Sequence, residues 1–259
     1  MIVTRCIENI GGKMTEIYLA ENHLLLKTGY GNPDMHSHSA CHVLVSLQGD
    51  MRVITEKETV MCRGAILPSG MVHTVESFGE PLLVFLFDIT STVSEQMQCF
   101  TVLEERTAED IALSYQMLTA GNPEKDYGKF FKETMERIGI KEICSRITDE
   151  RILLAMRFAE EHLQDEVTAK DAAGAACLSE SRFSHLFREQ AGIAFSSWLV
   201  FRRLFLAYMR IADGESITDA SLAAGFSTPS HFATVNKKMF GITARDLSGD
   251  YCLHRIADI

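Results

Sequence analysis

The chain has 259 residues, 46% hydrophobic and 23% charged, with a formal net charge of −10 at pH 7. That balance excludes a disordered polyelectrolyte and suits a globular protein long enough for two domains, and no apolar run approaches the roughly 20 residues of a membrane helix. Seven cysteines without a CxxC pair argue against a disulfide framework; with a start, MIVTRCIENIGGKMTE, that lacks a signal-peptide core, they lead us to expect a cytoplasmic protein with no membrane partner. The acidity is uneven: residues 1–149 carry 13 Lys and Arg against 21 Asp and Glu, whereas residues 150–259 carry 12 against 14.

Residues 1–100 read as β. Short apolar segments recur at Ile17–Leu19, Leu24–Lys27, Val43–Leu47, Met51–Thr55, Thr59–Met61, Ala65–Leu67, Val72–Val75 and Leu82–Phe87. Turn signals such as Gln48-Gly49-Asp50 and Ser77-Phe78-Gly79 separate them, and this regular spacing predicts a sandwich or barrel. Thr55–Thr59 reads as a polar hairpin tip.

A histidine constellation lies inside this region. It runs His36-Ser37-His38-(x)3-His42-(x)6-Gly49 and later Gly64-(x)3-Pro68-x-Gly70-(x)2-His73. Side chains alternate faces on an extended strand, so positions 36, 38 and 42 share one face, and a closed sheet could bring His73 to meet them. Converging imidazoles suit a first-row ion such as zinc, nickel, copper or iron. The alternative is that they merely line a polar strand end or a pocket for an organic effector. Cys41 has the opposite parity and is expected to pack elsewhere; Cys62 precedes Gly64 and could approach the site.

The two glycine-anchored motifs resemble those of the cupin family over roughly residues 30–90, with His42 standing where cupins usually carry Glu. The resemblance implies a β-barrel that holds a divalent transition metal through His36, His38, His42 and His73, or a sensor barrel that takes a small organic molecule instead. Since cupin barrels also host enzymes, a metal-dependent enzyme is one alternative for the whole chain.

From Ser94 to Cys144 the periodicity becomes helical. Ile111, Tyr115 and Leu118 share a face over Glu104–Met117, as do Phe131, Met135 and Ile138 over Phe130–Ile143, with Gly121-Asn122-Pro123 as the break. These helices either pack on their own sheet or pair with a second copy. Thr148 or Asp149 can cap a further helix running to about His162.

The segment Thr168–Leu247 contains one unit twice. TAKDAAGAACLSESRFSHLFREQAGIAF (168–195) matches SITDASLAAGFSTPSHFATVNKKMFGITA (216–244) at an offset of 48 residues at the turn and 49 beyond it. A duplication at fixed spacing is not a chance echo. In each copy a capped small-residue helix leads through a short turn to a second helix with an aromatic anchor, Phe183 or Phe232, which is the helix-turn-helix pattern. Helical spacing turns Phe183, Leu186 and Phe187 inward and leaves Ser181, Arg182, Ser184, His185 and Arg188 outward. In the second copy Phe232, Val235 and Met239 turn in, and Ser230, His231, Thr234, Lys237 and Lys238 turn out. Such short polar faces suit a major groove, with Arg able to pair guanine and the others suited to phosphate or sugar. A broadly apolar helix over Ser196–Ala212 joins the copies.

The pattern I-T-(x)5-A-G-F-S-(x)2-S-x-F ending at Phe232, with Phe240-Gly241 and with Arg203 and Ala207 in the connecting helix, resembles the AraC/XylS family of bacterial transcription regulators. The resemblance covers about the last 100 residues. It implies two helix-turn-helix units along one face of double-stranded DNA, a small-molecule or metal effector, contact with RNA polymerase, and a homodimer. The chain departs from the pattern at Cys177 for the turn glycine, Thr234 for a frequent Arg, and Ala244 for a proline. Asn236 takes the slot that Phe187 fills in the first copy, so the second unit is expected to pack more loosely.

The expected fold is therefore α+β: a cupin-like barrel over 1–100, a helical connecting region over 101–148, and an all-α DNA-binding domain with two helix-turn-helix units over 149–259. The expected function is a DNA-binding transcription regulator, with no catalytic residues, controlled by an effector or metal in the barrel. A scaffold that has lost DNA binding is the remaining alternative.

Overall fold

The computed structural model describes residues 15–20, 23–29, 34–141, 143–165, 167–240 and 251–256. Its contacts divide the chain into two units, one of Met1–Asp88, Val93–Ile143 and Lys238–Ile259, the other of Ile89–Thr92 and Cys144–Lys237.

The first unit carries the strands β1 (Thr15–Leu19), β2 (His23–Gly29), β3 (Cys41–Ser46), β4 (Met51–Thr55), β5 (Thr59–Cys62), β6 (Gly64–Leu67), β7 (His73–Glu76), β8 (Pro81–Phe87), β9 (Thr101–Val102) and β10 (Tyr251–Arg255). It also holds the helices α1 (Val93–Gln96), α2 (Glu105–Ala120) and α3 (Pro123–Arg137). The strands make a seven-stranded sheet in the order β10-β1-β2-β8-β3-β6-β9 and a three-stranded sheet in the order β5-β4-β7. The expected barrel is thus not closed. The turn at Gly49, whose φ of 66° favours glycine, carries the chain out of β3 into the second sheet, where β4 pairs β5 and β7.

One face of the larger sheet is a cross-strand row of His254, Tyr18, Leu25, Phe85, Val43 and Ile66, each opposite the next. Alternation puts Cys41, Val45, Leu83 and Phe87 on the same face. They share one apolar cluster with Ile111, Tyr115 and Leu118 of α2 and Tyr127, Phe130, Phe131 and Met135 of α3. Each such large side chain removed from water stabilises the unit by about 1.5–3 kcal/mol. The helices therefore pack on the sheet, and residues 101–143 belong to this unit rather than to a separate connecting region.

α3 begins seven residues before the expected Phe130. Asn122 caps it by accepting from the Lys125 amide, and Pro123 occupies the first turn, where a missing N–H costs nothing. It stops at Arg137, short of the expected Ile143, because Gly139 turns left-handed at φ 82° and lets the Ile140 amide close on the Met135 carbonyl.

The second unit holds α4 (Glu150–Glu161), α5 (Ala169–Ala175), α6 (Glu180–Ala191), α7 (Phe195–Ala212), α8 (Ile217–Ala223) and α9 (Pro229–Phe240) as far as Lys237. Side-chain caps start the short helices: Asp149 for α4, a Thr168–Asp171 capping box for α5, Ser179 for α6 and Ser216 for α8. Ile152, Ala155, Ala172, Phe183, Phe187, Phe195 and Trp198 form one core. The expectation of an all-α segment over 149–259 fails at β10, which pairs in parallel with β1 and completes the edge of the larger sheet.

Candidate functional site

Both strand-end motifs deliver their histidines to one place. His42 lies on β3 with the parity opposite to Cys41, so it points away from α2 and α3, and it is 4% exposed. His73 opens β7 in the other sheet. His36 and His38 precede β3 rather than lying within it, so strand parity is not what aligns them. Instead His36 forms an isolated bridge to His73, with amide–carbonyl hydrogen bonds of 3.0 and 2.9 Å in both directions. The Gly70 amide donates to the His38 carbonyl at 2.8 Å. Those main-chain ties pull the segment over the cluster.

The rings then crowd together. Centroids lie 4.6 Å apart for His36 and His73, 5.5 Å for His36 and His38, 4.3 Å for His38 and His42, and 5.2 Å for His42 and His73. His36, His38 and His73 each place a ring nitrogen within 4.8 Å of the other two, which is the span of a common ion. His42 packs against His38 and His73 but stands outside that group of three.

Hydrogen bonds fix the tautomers of two rings. His36 donates from Nδ1 to the Asp34 carbonyl at 2.9 Å and His73 from Nδ1 to the Met71 carbonyl at 2.8 Å. A carbonyl only accepts, so Nε2 of each ring keeps its lone pair, the arrangement typical of metal-bound histidine. Sequence reasoning missed these orienting groups because they are main-chain atoms two residues upstream, with no side-chain signature. Among the described residues, both nitrogens of His38 and of His42 are buried without a hydrogen-bond partner of normal geometry, the Ala40 main chain approaching His38 without completing one. An unpaired buried polar atom costs about 1–3 kcal/mol, so the cluster fits a group that would satisfy it.

Burial holds all four rings neutral, as ligands must be. It lowers His73 to about 4, takes His38 and His42 well below the usual imidazole range with help from the neighbouring histidines, and lowers His36 less. Cys41 is buried on the helix side, as its parity implies. Cys62, also buried, is not in the ligand group, and burial pushes its thiol up to about 11.

In the second unit the paired helices sort their residues by face. On α6, Phe183, Leu186 and Phe187 are buried, while Ser181, Arg182, Ser184, His185 and Arg188 are exposed. On α9, Phe232 is buried and Ser230, His231, Thr234, Lys237 and Lys238 are exposed. All ten expected contact residues therefore face solvent. Val235 and Met239 are half-buried.

Asn236 does not loosen the second pair. It is fully buried, and its Oδ1 accepts a hydrogen bond from the Tyr208 hydroxyl of α7. The tyrosine supplies both the ring that the slot lacks, tilted at 59° with its centroid 6.1 Å from that of Phe232, and the donor that the amide needs. Nothing in the spacing of α9 alone pointed to that partner.

Residues 172–249 match the family model described as a helix-turn-helix domain. The chain is 28% identical over 153 residues to the arabinose operon regulatory protein of Escherichia coli, which covers 56% of this chain and 52% of that one. It is 30% identical over 96 residues to regulatory protein PocR of Salmonella typhimurium, covering 37% of this chain and 32% of that one. The chain thus spans about a third to a half of the length of these curated relatives. In fold it is similar to apo ToxT from Vibrio cholerae, at 11% identity and a TM-score of 0.58 over 88% of this chain and 97% of that one. A ToxT structure described as bound to an unsaturated fatty acid gives a TM-score of 0.54.

The chain is thus of the class that joins a sheet-rich unit to a helical segment carrying a helix-turn-helix domain. Over that helical segment it is similar to regulators such as the arabinose operon regulatory protein and PocR.

Proposed function

We propose that the chain is a sequence-specific, DNA-binding transcription regulator of AraC type whose first unit carries its effector site. The observation that carries this reading is the duplicated helix pair with ten exposed polar residues on α6 and α9, inside the matched domain. Both pairs act as helix-turn-helix units, with Arg182, His185 and Arg188 of α6 and His231, Thr234 and Lys238 of α9 as the main contacts. The test is a gel shift on the DNA upstream of the chain's own coding region, with Arg182→Ala beside the wild type. If Arg182 reads a base, its loss costs about 1–3 kcal/mol at one base position. An equal loss on all sequences would assign it to phosphate, and no shift at all would sink the DNA reading.

The histidine cluster is the effector site in this reading, with His36, His38 and His73 as the ligands of a divalent transition metal such as zinc, nickel, copper or iron. The unpaired nitrogens and the carbonyl-fixed tautomers support it. Metal content of protein purified without chelator should be about one ion per chain and should fall in His38→Ala and His73→Ala. Protein that takes up no metal under any supplementation would turn the cluster into lining for an organic effector. A homodimer and contact with RNA polymerase belong to the same reading. Leu113 and Met117, exposed on the outer face of α2, are where a second copy would dock. The effector acts only if it favours one arrangement of the chain over another.

A further inference from the structure

The four histidines are not equivalent, and the difference bears on what else the cluster takes. Three of them hold ring nitrogens within reach of one ion, whereas His42 stands beside that group and outside it. Its ring lies 4.3 Å from His38 and 5.2 Å from His73, flanked on β3 by Leu86 and Leu67 of the neighbouring strands. A neutral imidazole carries one N–H, and neither His42 nitrogen has a hydrogen-bond partner among the described residues.

The charge of the set is equally informative. Among the described residues, the groups felt electrostatically at His38, His42 and His73 are other histidines of the cluster, and the exposed Asp34 carboxylate is felt at His36. An ion held by three neutral imidazoles would keep both its charges in a site where His38 and His73 are 9% and 3% exposed. An uncompensated buried charge is costly, so such a site draws a counter-anion.

We propose that the cluster takes a small carboxylate together with its metal: one carboxylate oxygen completes the ion held by His36, His38 and His73, and the other accepts the N–H of His42. The inference rests on the metal reading given above. A carboxylate fits because its two oxygens can meet the ion and the donor at once, which a halide cannot do. The ligand is small because His36, half-buried, is the one member of the cluster open to solvent. His42 is thereby a specificity residue for the anion rather than a metal ligand.

The experiment uses the full chain loaded with cobalt(II), whose visible spectrum reports its ligands, with acetate as the probe and chloride at equal ionic strength as the control. Wild type, His42→Ala and His42→Gln should each bind about one cobalt, and His38→Ala should bind none. Acetate should change the cobalt spectrum of the wild type, and its apparent affinity should fall about tenfold in His42→Ala. Circular dichroism checks that each variant is folded; His42→Gln, which keeps an N–H donor, should retain the acetate response, and His42→Leu, which has none, stands in if the alanine variant is not folded. A spectrum indifferent to acetate, an equal response to chloride, or loss of cobalt from a folded His42 variant overturns the proposal while leaving the metal in place. A wild type that takes no cobalt removes the metal reading itself.

Discussion

Gly225, at the turn between α8 and α9, has no room for a methyl group. Its φ is 88°, in the left-handed region, and a Cβ built there would lie 2.1 Å from the Leu163 carbonyl oxygen and 2.8 Å from Arg203 Nε. That carbonyl and the one at Asp165 are the acceptors through which Arg203 ties α7 to the end of α4, at 3.2 and 2.8 Å. Gly225→Ala therefore adds left-handed strain of about 1–2 kcal/mol and disrupts a charged hydrogen bond worth about 1.5–3 kcal/mol. The turn cannot relax by swinging a flexible side chain, because the first obstacle is backbone. We expect a loss of at least about 3 kcal/mol, which moves a urea midpoint by about 1–3 M at usual slopes. The assay is direct: Trp198 is the only tryptophan in the chain and is 1% exposed in the core of the second unit, so its fluorescence reports that unit. The internal control is Cys177, at the matching turn between α5 and α6. It also has a positive φ, 54°, but its side chain is exposed. Cys177→Gly trades relieved strain against added chain entropy and should change stability by no more than about 1 kcal/mol. A Gly225→Ala midpoint equal to the wild type would refute the steric reasoning outright.

Asn236→Ala should cost about 1–3 kcal/mol by the same fluorescence, since it removes the acceptor for the Tyr208 hydroxyl and opens space at a fully buried site. Combining it with Tyr208→Phe should cost less than the sum of the two, and strict additivity would mean that the pair does not interact. In the first unit, burial lowers His23 to about 3 against an ordinary 6.5. The unfolded chain then binds a proton that the folded chain does not, so stability is full above about pH 6.5 and is lost as pH falls from there toward 3. His23→Phe keeps the stack on Phe131, 3.8 Å away, and should shed one proton's share of that slope in acid titrations followed by tyrosine dichroism. An unchanged slope would show that His23 protonates freely in the folded protein.

Legibility in the sequence followed the range of the interactions involved. Strand segments, caps and the two helix pairs rest on contacts within a few residues, and the spacing of β4, β5 and α4–α9 was readable for that reason. The ten polar positions fell outward because helical periodicity alone fixes their face. What was not readable depends on distant partners. β10 becomes a strand because β1, over 230 residues upstream, offers its edge and Tyr18 offers a ring for His254 to stack on at 4.5 Å. The histidines converge as their number suggested, but through the His36–His73 bridge and not through the shared strand parity that was the reason for expecting it. Asn236 reads as a defect until Tyr208, on another helix, is seen opposite it.

The net charge of −10 must be reconciled with the DNA partner proposed above, and the placement of the acids in the second unit does so. Asp149, Asp171 and Asp219 sit at helix starts, where Asp149 accepts from the Arg151 amide, and Asp171 and Asp219 engage Thr168 and Ser216. Glu160 and Glu215 pair with Arg202 and Arg210 on α7. These carboxylates serve caps and the connecting helix rather than α6 and α9, on which Arg182, Arg188, Lys237 and Lys238 lie exposed. Glu180 and Glu189 are the exceptions, both exposed on α6, and they weaken attraction that is not guided by bases. Four cations allow a slope of log affinity on log salt no steeper than about −3.6, at 0.9 per phosphate neutralised. Binding to random duplexes should accordingly be weak and confined to low salt, as read by fluorescence anisotropy across a salt series. Tight binding to random DNA that survives high salt would mean that a cationic surface elsewhere on the chain, and not the faces of α6 and α9, meets the phosphates.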